Sequence, residues 1–343
     1  MVKKIIICFL FFILLVFVWG IYFSKNSTDS ENNLFLVERG QNLFEIAYNL
    51  EKDEIIKNKL FLDLYVFLRM SQNKLQAGQY FLNPSMSIKE IGDKIISGDT
   101  AKTIITIPEG WNLRDIGWYF ENQGMFQAEE LFELVGFPLI NYSVNTDLPK
   151  PKDFSLDYDF LKNKPKNISL EGYLFPDTYE IVLGAELEEI VRKMLANFNK
   201  KLTGELKKEI QKQDKSIFEI ITMASLIEKE VKTLKDKKIV SGVLWKRLSA
   251  GVGLQVDATI IYITGKKSVR ISKQETEIDS LYNTYKYRGL PLGPISNPGL
   301  ESIEAAIYPE NSDYWYYLST LEGETIFSET LEKHNIAKAK YLK

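Results

Sequence analysis

The sequence has little of the chemistry on which disulfide scaffolds and most metal centres depend. Its 343 residues include one cysteine, Cys8, and one histidine, His334. A lone cysteine excludes internal disulfides and cysteine-ligated metals, and a lone histidine leaves little for a histidine-ligated metal. The formal net charge is −3, which argues against bulk attraction to nucleic acid. We therefore expect neither a metal site nor a nucleic-acid partner.

Long apolar runs are also scarce, apart from one uncharged stretch at Ile5–Phe23. Its length matches the roughly 20 residues that cross a bilayer as a helix. It exceeds the apolar core of a signal peptide, and no cleavage site of the A-x-A kind follows it. Lys3 and Lys4 precede the run, so residues 1–4 are expected in the cytoplasm and the chain after it outside the cell membrane. We predict a single-pass anchor at 5–23 and a polar tether at 24–33.

The remaining pattern predicts an α+β protein with two folded parts outside the membrane. Residues 34–99 indicate a small β-α-α-β module followed by a helix that Gly98 ends. Residues 103–343 indicate a larger mixed α/β domain that opens with the β-branched strand KTIITI. Helices are expected from Asn112 to Asn122 and from Ala128 to Val135. A polar segment at about 141–166 has no clear period and is expected to be a long surface connection.

Four strings in the larger domain are unusual. They are LEGYLFPDTYEI (170–181), MASLIEKEV (223–231), GLQVDATIIYITG (253–265) and YNTYKYRGLPLGPISNPGLESIEAAIYP (282–309).

In the first string, Glu171 precedes a glycine and is followed by Tyr173, Pro176 and Asp177. A carboxyl group buried beside apolar rings keeps its proton at neutral pH, as a general acid requires. The other interpretation is a surface glutamate that opens a turn, and the string alone favours it.

In the second string, helical spacing places Glu228 near the apolar face and Glu230 about 120° away from it. Glu228 is therefore expected to line a cleft or to form a buried ion pair with a partner such as Arg247. Glu230 is expected to be solvated.

The third string alternates polar Gln255, Asp257 and Thr259 with apolar residues, which is typical of a strand with one polar face. That face would line a cleft and bind sugar hydroxyls, or be the wet side of an ordinary sheet. In the fourth string, repeated glycine and proline exclude regular structure. The resulting loop would form the wall of a groove, with Asn283 and Tyr285 facing it, or be an ordered connection. His334 receives no chemical role.

Together, in this order and spacing, the strings resemble the endolytic murein transglycosylase (YceG-like) family. The resemblance covers nearly the whole chain, including the anchor and a LysM-like module at about 34–99. Leu292, Val256 and Ala258 depart from residues that are common in the family, and GETIF (323–327) lacks a preceding histidine that is common there.

The resemblance implies a lyase that cuts the β-1,4 bond between N-acetylmuramic acid and N-acetylglucosamine of peptidoglycan without water, and so limits glycan length. It implies Glu171 as the catalytic acid, and no organic cofactor. Glu228, Gln255, Asp257, Thr259, Asn283, Tyr285, Tyr173 and Asp177 would bind substrate or support the acid. Glu171→Gln is then expected to abolish cleavage.

Two other classes of function compete with this prediction. One is a glycan-binding scaffold that recruits cell-wall synthases and cuts nothing. The other is a pyridoxal-phosphate lyase, which would need a Schiff-base lysine and a phosphate cradle. No glycine-rich anion loop is present in the sequence, which argues against the second class.

Overall fold

The computed structural model describes residues 2–25, 31–145, 147–266, 271–320 and 322–341. Residues 26–30 of the predicted tether and Met1 of the predicted cytoplasmic end lie outside the described residues. The chain forms two compact units. The first comprises residues up to Ile105 together with Tyr179–Ala185, and the second comprises Thr106–Thr178 and the chain from Glu186 onward.

The apolar run near the N-terminus forms helix α1, Val2–Tyr22. Its segment Lys3–Tyr22 has a mean hydropathy of 3.0 and is long and apolar enough to cross a membrane. The predicted helix is thus confirmed, while its insertion and orientation stay predictions.

The rest of the first unit begins with strand β1, Asn33–Val37, and helices α2, Leu43–Lys52, and α3, Lys59–Leu68. Strand β2, Gly78–Leu82, then pairs antiparallel with β1, and helix α4, Ile88–Ser97, follows. Capping boxes begin α2 and α4, since each N-cap side chain and the acidic residue three positions later satisfy each other's backbone N–H. The predicted β-α-α-β order and the stop at Gly98 are confirmed.

Strands β3, Lys102–Ile107, and β4, Asp177–Val182, form a second two-stranded sheet. Between them lie helices α5, Leu113–Asn122, and α6, Ala128–Val135, with bounds close to those predicted. Asn112 caps α5 by accepting backbone hydrogen bonds, so the turn after β3 ends at a defined residue. Helix α5 then begins with Leu113 directly after this turn.

The predicted surface connection at 141–166 does not lie wholly at the surface. In its described part it has no helix or strand beyond a 3₁₀ turn at Asp159–Leu161. However, Tyr142, Phe154 and Phe160 are all buried. Phe160 stacks on Phe198 with ring centroids 4.7 Å apart. The prediction was wrong because it judged the segment by its polar majority, whereas a few aromatic residues suffice to anchor an irregular segment in a core.

Helices dominate the remainder of the second unit. In order, its elements are α7 Leu187–Lys201, α8 Gly204–Lys212, α9 Ile217–Glu230, α10 Leu234–Ser249, α11 Asp257–Thr264, α12 Leu300–Ile307, β5 Tyr316–Ser319, β6 Thr325–Ser328 and α13 Leu331–Tyr341. Helix α9 is central, since α8, α10, α11 and α12 all pack against it. Its residues 220–227 are all buried.

The predicted strand in GLQVDATIIYITG is wrong, because helix α11 begins at Asp257. An acidic residue favours the first turn of a helix, and Gly265 ends the helix in the left-handed conformation. The polar alternation extended over three residues, too short a stretch to outweigh these two helix signals. Thr259 consequently points into the core, whereas Gln255 and Asp257 are exposed.

Candidate active site

Glu171 is buried, with 1% of its surface exposed, so the surface interpretation of this residue was wrong. The backbone N–H of Leu113, the first residue of α5, donates to both carboxyl oxygens at 3.1 Å. The Tyr262 hydroxyl donates to Oε2 at 3.0 Å, and Asn297 Nδ2 donates to Oε1 at 3.3 Å. We call these four residues the Glu171 cluster. Three groups of the protein therefore donate hydrogen bonds to this carboxyl group.

The pKa of Glu171 reflects two opposed influences. Burial raises it to about 8, while the hydrogen bonds from Leu113 and Tyr262 oppose that rise. The predicted raised pKa is therefore confirmed. A cavity of about 480 Å³ is lined by the neighbouring Leu170, but Glu171 does not line it.

Asn297 connects the first and fourth unusual strings with the turn after β3, and no pattern in the sequence indicated this role. Its backbone N–H and Nδ2 both donate to the carbonyl of Trp111, at 2.7 and 2.9 Å. Its Oδ1 accepts the Leu174 N–H at 2.9 Å, and its carbonyl accepts the N–H of Gly110. The loop GLPLGPISNPG is thus an ordered connection that holds the Glu171 cluster together.

Position 172, directly after Glu171, requires a glycine. Its φ is +88°, and a Cβ there would lie 2.5 Å from Pro294 Cβ and 3.0 Å from Ile221 Cγ2. Pro294 belongs to the glycine- and proline-rich loop, so that loop packs closely against the backbone at Gly172.

Glu228 lies on the core side of α9, as its helical phase predicted. Its side chain is 9% exposed and lies 3.5 Å from Nζ of the buried Lys237. The Ser302 hydroxyl and the Gly299 N–H donate to Oε2 at 2.6 and 3.1 Å. The predicted buried ion pair therefore exists, but with Lys237 in place of Arg247. The ion pair links α9 to α10, and the hydrogen bonds from Ser302 and Gly299 link the end of α9 to the start of α12.

Glu230, the last residue of α9, is only partly exposed, and its predicted full solvation was wrong. The Tyr317 hydroxyl and the backbone N–H of Ala258 face its carboxyl group and favour the charged form, which lowers its pKa. Burial and, to a lesser extent, the negative charge of Asp257 together raise its pKa to about 7, against the opposing effect of these two donors. Helical phase failed here because it placed Glu230 relative to the apolar face of α9 and took no account of α11 and β5.

Two residues predicted from separate strings, Asp257 and Tyr285, meet near Glu230. The Tyr285 hydroxyl donates to Asp257 Oδ1, and Gln255 Oε1 accepts a hydrogen bond from Arg247 Nη2 at 3.4 Å. Burial raises the pKa of Tyr285 well above its usual value, so its hydroxyl stays a donor. We call Glu230, Asp257, Tyr285 and Tyr317 the Glu230 cluster. Asp257 and Tyr285, which were expected beside Glu171, therefore lie near a different carboxyl group.

The other predicted site residues are engaged elsewhere. Thr259 and Asn283 are buried; Thr259 bonds the hydroxyl of Thr284 and the carbonyl of Val256, and Asn283 Nδ2 donates to two loop carbonyls. Tyr173 is buried among aromatic rings. Asp177 accepts from Asn197 Nδ2 at 2.9 Å, which lowers its pKa. Their proposed roles in substrate binding stay predictions, and their contacts are those of residues that maintain the fold.

A family model described as the YceG-like family matches residues 35–340. The chain belongs to the YceG-like family. The resemblance noted from the four strings is thus confirmed.

Relatives in this family support the assignment. The chain is 34% identical to the endolytic murein transglycosylase of Bacillus subtilis (strain 168), across 89% of this chain and 84% of that protein. It is 30% identical to the endolytic murein transglycosylase of Streptococcus pneumoniae (strain D39), across 97% of this chain and 64% of that longer protein. A crystal structure of a putative YceG-like protein from Listeria monocytogenes superposes with a TM-score of 0.57 at 33% identity, covering 90% of this chain and 99% of that one.

Proposed function

We propose that this YceG-like protein is a membrane-anchored endolytic transglycosylase of peptidoglycan, with Glu230 as its proton donor. Two observations support the reaction class. Relatives at 30–34% identity bear the name endolytic murein transglycosylase. Glu230, whose carboxyl pKa is raised to about 7, is a residue that keeps some exposed surface, unlike Glu171. The single observation that carries the proposal is this raised pKa combined with access.

The choice between the two carboxyl groups follows from what a general acid must do. It must come within hydrogen-bond distance of the oxygen that it protonates. Glu171, the acid that the family resemblance suggested, has 1% of its surface exposed and three protein donors on its two oxygens. Glu230 meets the same electrostatic requirement and keeps exposed surface. The geometry therefore supports Glu230 better, and a catalytic role for Glu171 stays a prediction.

The proposed reaction needs one carboxyl group in two protonation states. Protonated Glu230 donates its proton to the glycosidic oxygen as the bond from C1 of N-acetylmuramic acid breaks. The resulting carboxylate then accepts the proton of the C6 hydroxyl as that oxygen attacks C1. The products are a 1,6-anhydro end and a free 4-hydroxyl, and Glu230 regains its proton. A pKa near 7 suits both steps, because donor and acceptor forms then have similar free energies at neutral pH.

The anchor and the small module define where cutting would occur. Helix α1 would cross the cell membrane with residues 1–4 in the cytoplasm and both folded units outside. Residues 34–99 would act as a LysM-like module that binds or positions the strand. Cutting within nascent strands close to the membrane would limit their length, and cell-wall synthases are the expected partners.

The test compares three proteins on uncrosslinked glycan strands: wild type, Glu230→Gln and Glu171→Gln. Mass analysis of the products is expected to show 1,6-anhydro ends with wild type. Glu230→Gln should lower the rate by about 10³-fold, within the range for loss of a general acid. Glu171→Gln that folds, as judged by circular dichroism, should still cut.

The possible results distinguish Glu230 from Glu171 as the acid, and an enzyme from a glycan-binding scaffold. An active Glu230→Gln variant beside an inactive but folded Glu171→Gln variant would return the catalytic role to Glu171. Glycan binding by wild type without any cleavage would instead support the scaffold function.

A further inference from the structure

We propose that the cavity beside Leu170 binds the carboxylate end of a peptidoglycan stem peptide, and that Lys164 recognises this carboxylate. The stem peptide is the short peptide that N-acetylmuramic acid carries on its lactyl group, and in nascent strands it ends in D-alanyl-D-alanine. This inference rests on the proposed function, which makes nascent strands the substrate, and it names a second group of that substrate. It does not depend on which glutamate is the acid.

The cavity is formed by one stretch of the chain. Its volume is about 480 Å³, and all of its lining residues that the structure describes lie between Val135 and Leu170. That stretch contains the irregular segment 141–166, which Phe154 and Phe160 anchor in the core. Irregular segments of this length are uncommon in compact domains and usually serve a function. Small-molecule sites have volumes of about 300–1,000 Å³, so the cavity is large enough for a short peptide.

Lys164 lines this cavity as a partly buried cation. Its Nζ donates to the backbone carbonyls of Pro165 and Ile168 at 2.9 and 2.7 Å, and it forms no ion pair with any residue that the structure describes. Burial lowers its pKa to about 8, so the ammonium group is still mainly charged at neutral pH. An ammonium group has three N–H donors, which leaves one for a ligand. A ligand carboxylate would supply the missing negative charge.

The charges around the cavity favour an anionic ligand. Its described lining includes four lysines and one acidic residue, which are Lys150, Lys152, Lys164, Lys166 and Asp153. Asp153 pairs with Lys166 at 3.2 Å, and Lys152 pairs with Glu188 at 2.7 Å. The other two lysines form no ion pair within the part of the chain that the structure describes. Two positive charges are therefore left for a ligand, and their potential attracts a carboxylate.

The apolar part of the lining distinguishes a peptide from a simple inorganic anion. Phe154, Leu161 and Ile168 are buried residues that line the cavity. Methyl groups gain free energy when they leave water for such a lining, and inorganic phosphate has none. The D-alanyl-D-alanine end combines a carboxylate with two methyl groups. It therefore matches both the cation and the apolar wall.

Binding of N-acetyl-D-alanyl-D-alanine and of its C-terminal amide tests the site directly. Ligand-observed NMR titrations use the full-length protein in detergent, as wild type and as Lys164→Met. Wild type should bind the acid more tightly than the amide. Lys164→Met should bind the acid about 10- to 100-fold more weakly, since it loses a hydrogen bond between charged groups. The amide should bind both proteins about equally.

Two further lysine variants keep this test decisive. Lys164→Met also loses the bonds to two carbonyls, so its folding is checked by circular dichroism. Lys150→Gln removes an exposed charge of the lining without touching those carbonyls, and should weaken binding of the acid by about two- to fivefold. Lys162→Gln is the control, because this exposed lysine of the same segment pairs with Asp159 and does not line the cavity. Its affinity should match that of wild type.

Three results would overturn the inference. The first is equal affinity of wild type for the acid and the amide. The second is unchanged affinity in folded Lys164→Met or, if that variant does not fold, in Lys150→Gln. The third is displacement of the peptide by acetate at the same concentration, which would show attraction of a simple anion only.

Glycan cleavage supplies a readout on the substrate itself. Strands that carry stem peptides are compared with strands from which an amidase has removed them. Because the carboxylate lies far from the bond that is cut, its loss should raise KM and leave kcat nearly unchanged. Wild type should therefore show about a tenfold lower KM for the strands with peptides, and Lys164→Met should lose this preference.

Failure of this inference and failure of the proposed function give different results. If wild type binds the dipeptide but yields no anhydro ends, the cavity is a peptide site and the proposed reaction is wrong. If wild type cuts both kinds of strand equally well and does not bind the dipeptide, the reaction stands and the role of the cavity is wrong.

Discussion

The Glu171 and Glu230 clusters each hold a glutamate whose pKa burial raises toward neutrality, yet they differ in what else can reach the carboxyl group. Glu171 is surrounded by the start of α5, a tyrosine of α11 and the Asn297 loop, and is 1% exposed. Glu230 ends α9 and keeps some exposed surface beside Asp257. A raised pKa alone therefore does not identify a catalytic acid.

The two clusters are also expected to differ in whether their glutamate contributes mainly to the stability of the fold or mainly to catalysis. A buried carboxyl group that satisfies three donors connects segments distant in sequence, and its removal leaves those donors unpaired. A carboxyl group at a helix end with partial access holds fewer segments together and can meet a ligand. We therefore expect the two sites to respond in opposite ways to the same substitution.

The largest expected effect is on folding. Glu171→Ala should lower the free energy of unfolding by about 3–5 kcal/mol, because it leaves buried donors without acceptors and opens a void. Glu230→Ala, the matched change, should cost less, about 1–2 kcal/mol, since Glu230 is a partly exposed residue at the end of α9. Urea unfolding followed by circular dichroism measures both. Equal losses would remove the contrast between the clusters.

The pH dependence of stability should be the next largest effect. A carboxyl group whose pKa is higher in the folded state than its usual 4.5 binds more protons there, so stability falls as pH rises from about 4.5 to its folded value. For Glu171 that window extends to about pH 8, and the loss should reach about 2–4 kcal/mol.

Thermal unfolding between pH 5 and pH 8 tests this expectation by comparison with Glu171→Gln. The variant lacks the titrating group, so its melting temperature should fall less over that range than that of wild type. Glu230→Gln should flatten the dependence less and only up to about pH 7. Parallel curves for wild type and Glu171→Gln would show that Glu171 does not titrate in this window.

Gly172→Ala should destabilise the protein by about 2–3 kcal/mol, through its positive φ and the contact of the new Cβ with Pro294. Gly124→Ala is the control, because Gly124 also has a positive φ, +66°, but nothing lies within 4 Å of its Cβ position. That change should cost about 1 kcal/mol. Equal costs in chemical denaturation would mean that the loop does not pack rigidly on Gly172.

The smallest expected effect comes from removing one tyrosine hydroxyl, either that of Tyr317 beside Glu230 or that of Tyr262 beside Glu171. Tyr317→Phe removes a hydrogen bond that lowers the pKa of Glu230, so the alkaline limb of kcat/KM should move up by less than about one pH unit. Tyr262→Phe removes the corresponding donor to Glu171 and should leave that limb in place. A shift caused by Tyr262→Phe would link Glu171 to the rate.

Much of the fold was predictable from local signals. Asn112 and Gly98 marked helix ends at the residues where the structure has them, because caps depend on residues a few positions apart. The error at Asp257 arose where two local patterns conflicted over a short stretch. The error at 141–166 arose because a few buried aromatic residues decide the position of an otherwise polar segment.

The candidate site was less predictable, since its geometry depends on contacts between strings. Gln255, Asp257 and Tyr285 were identified as candidates, but no pattern showed that Tyr285 would bond to Asp257 or that Gln255 would bond to Arg247. Asn297 stood in a noted loop without any sign that its amide joins three segments. The periodic patterns that predict helices and strands carry no information about contacts between segments distant in sequence.

By itself, the sequence determined the apolar helix, the helix caps, the irregular loop and the family to which the chain belongs, because each depends on residues near one another or on their order. Only the tertiary structure decided which glutamate is sealed in the core and which remains accessible. Burial and pKa depend on what other segments bring to a side chain, and α9 alone gives no sign of β5 or of the N-terminus of α11.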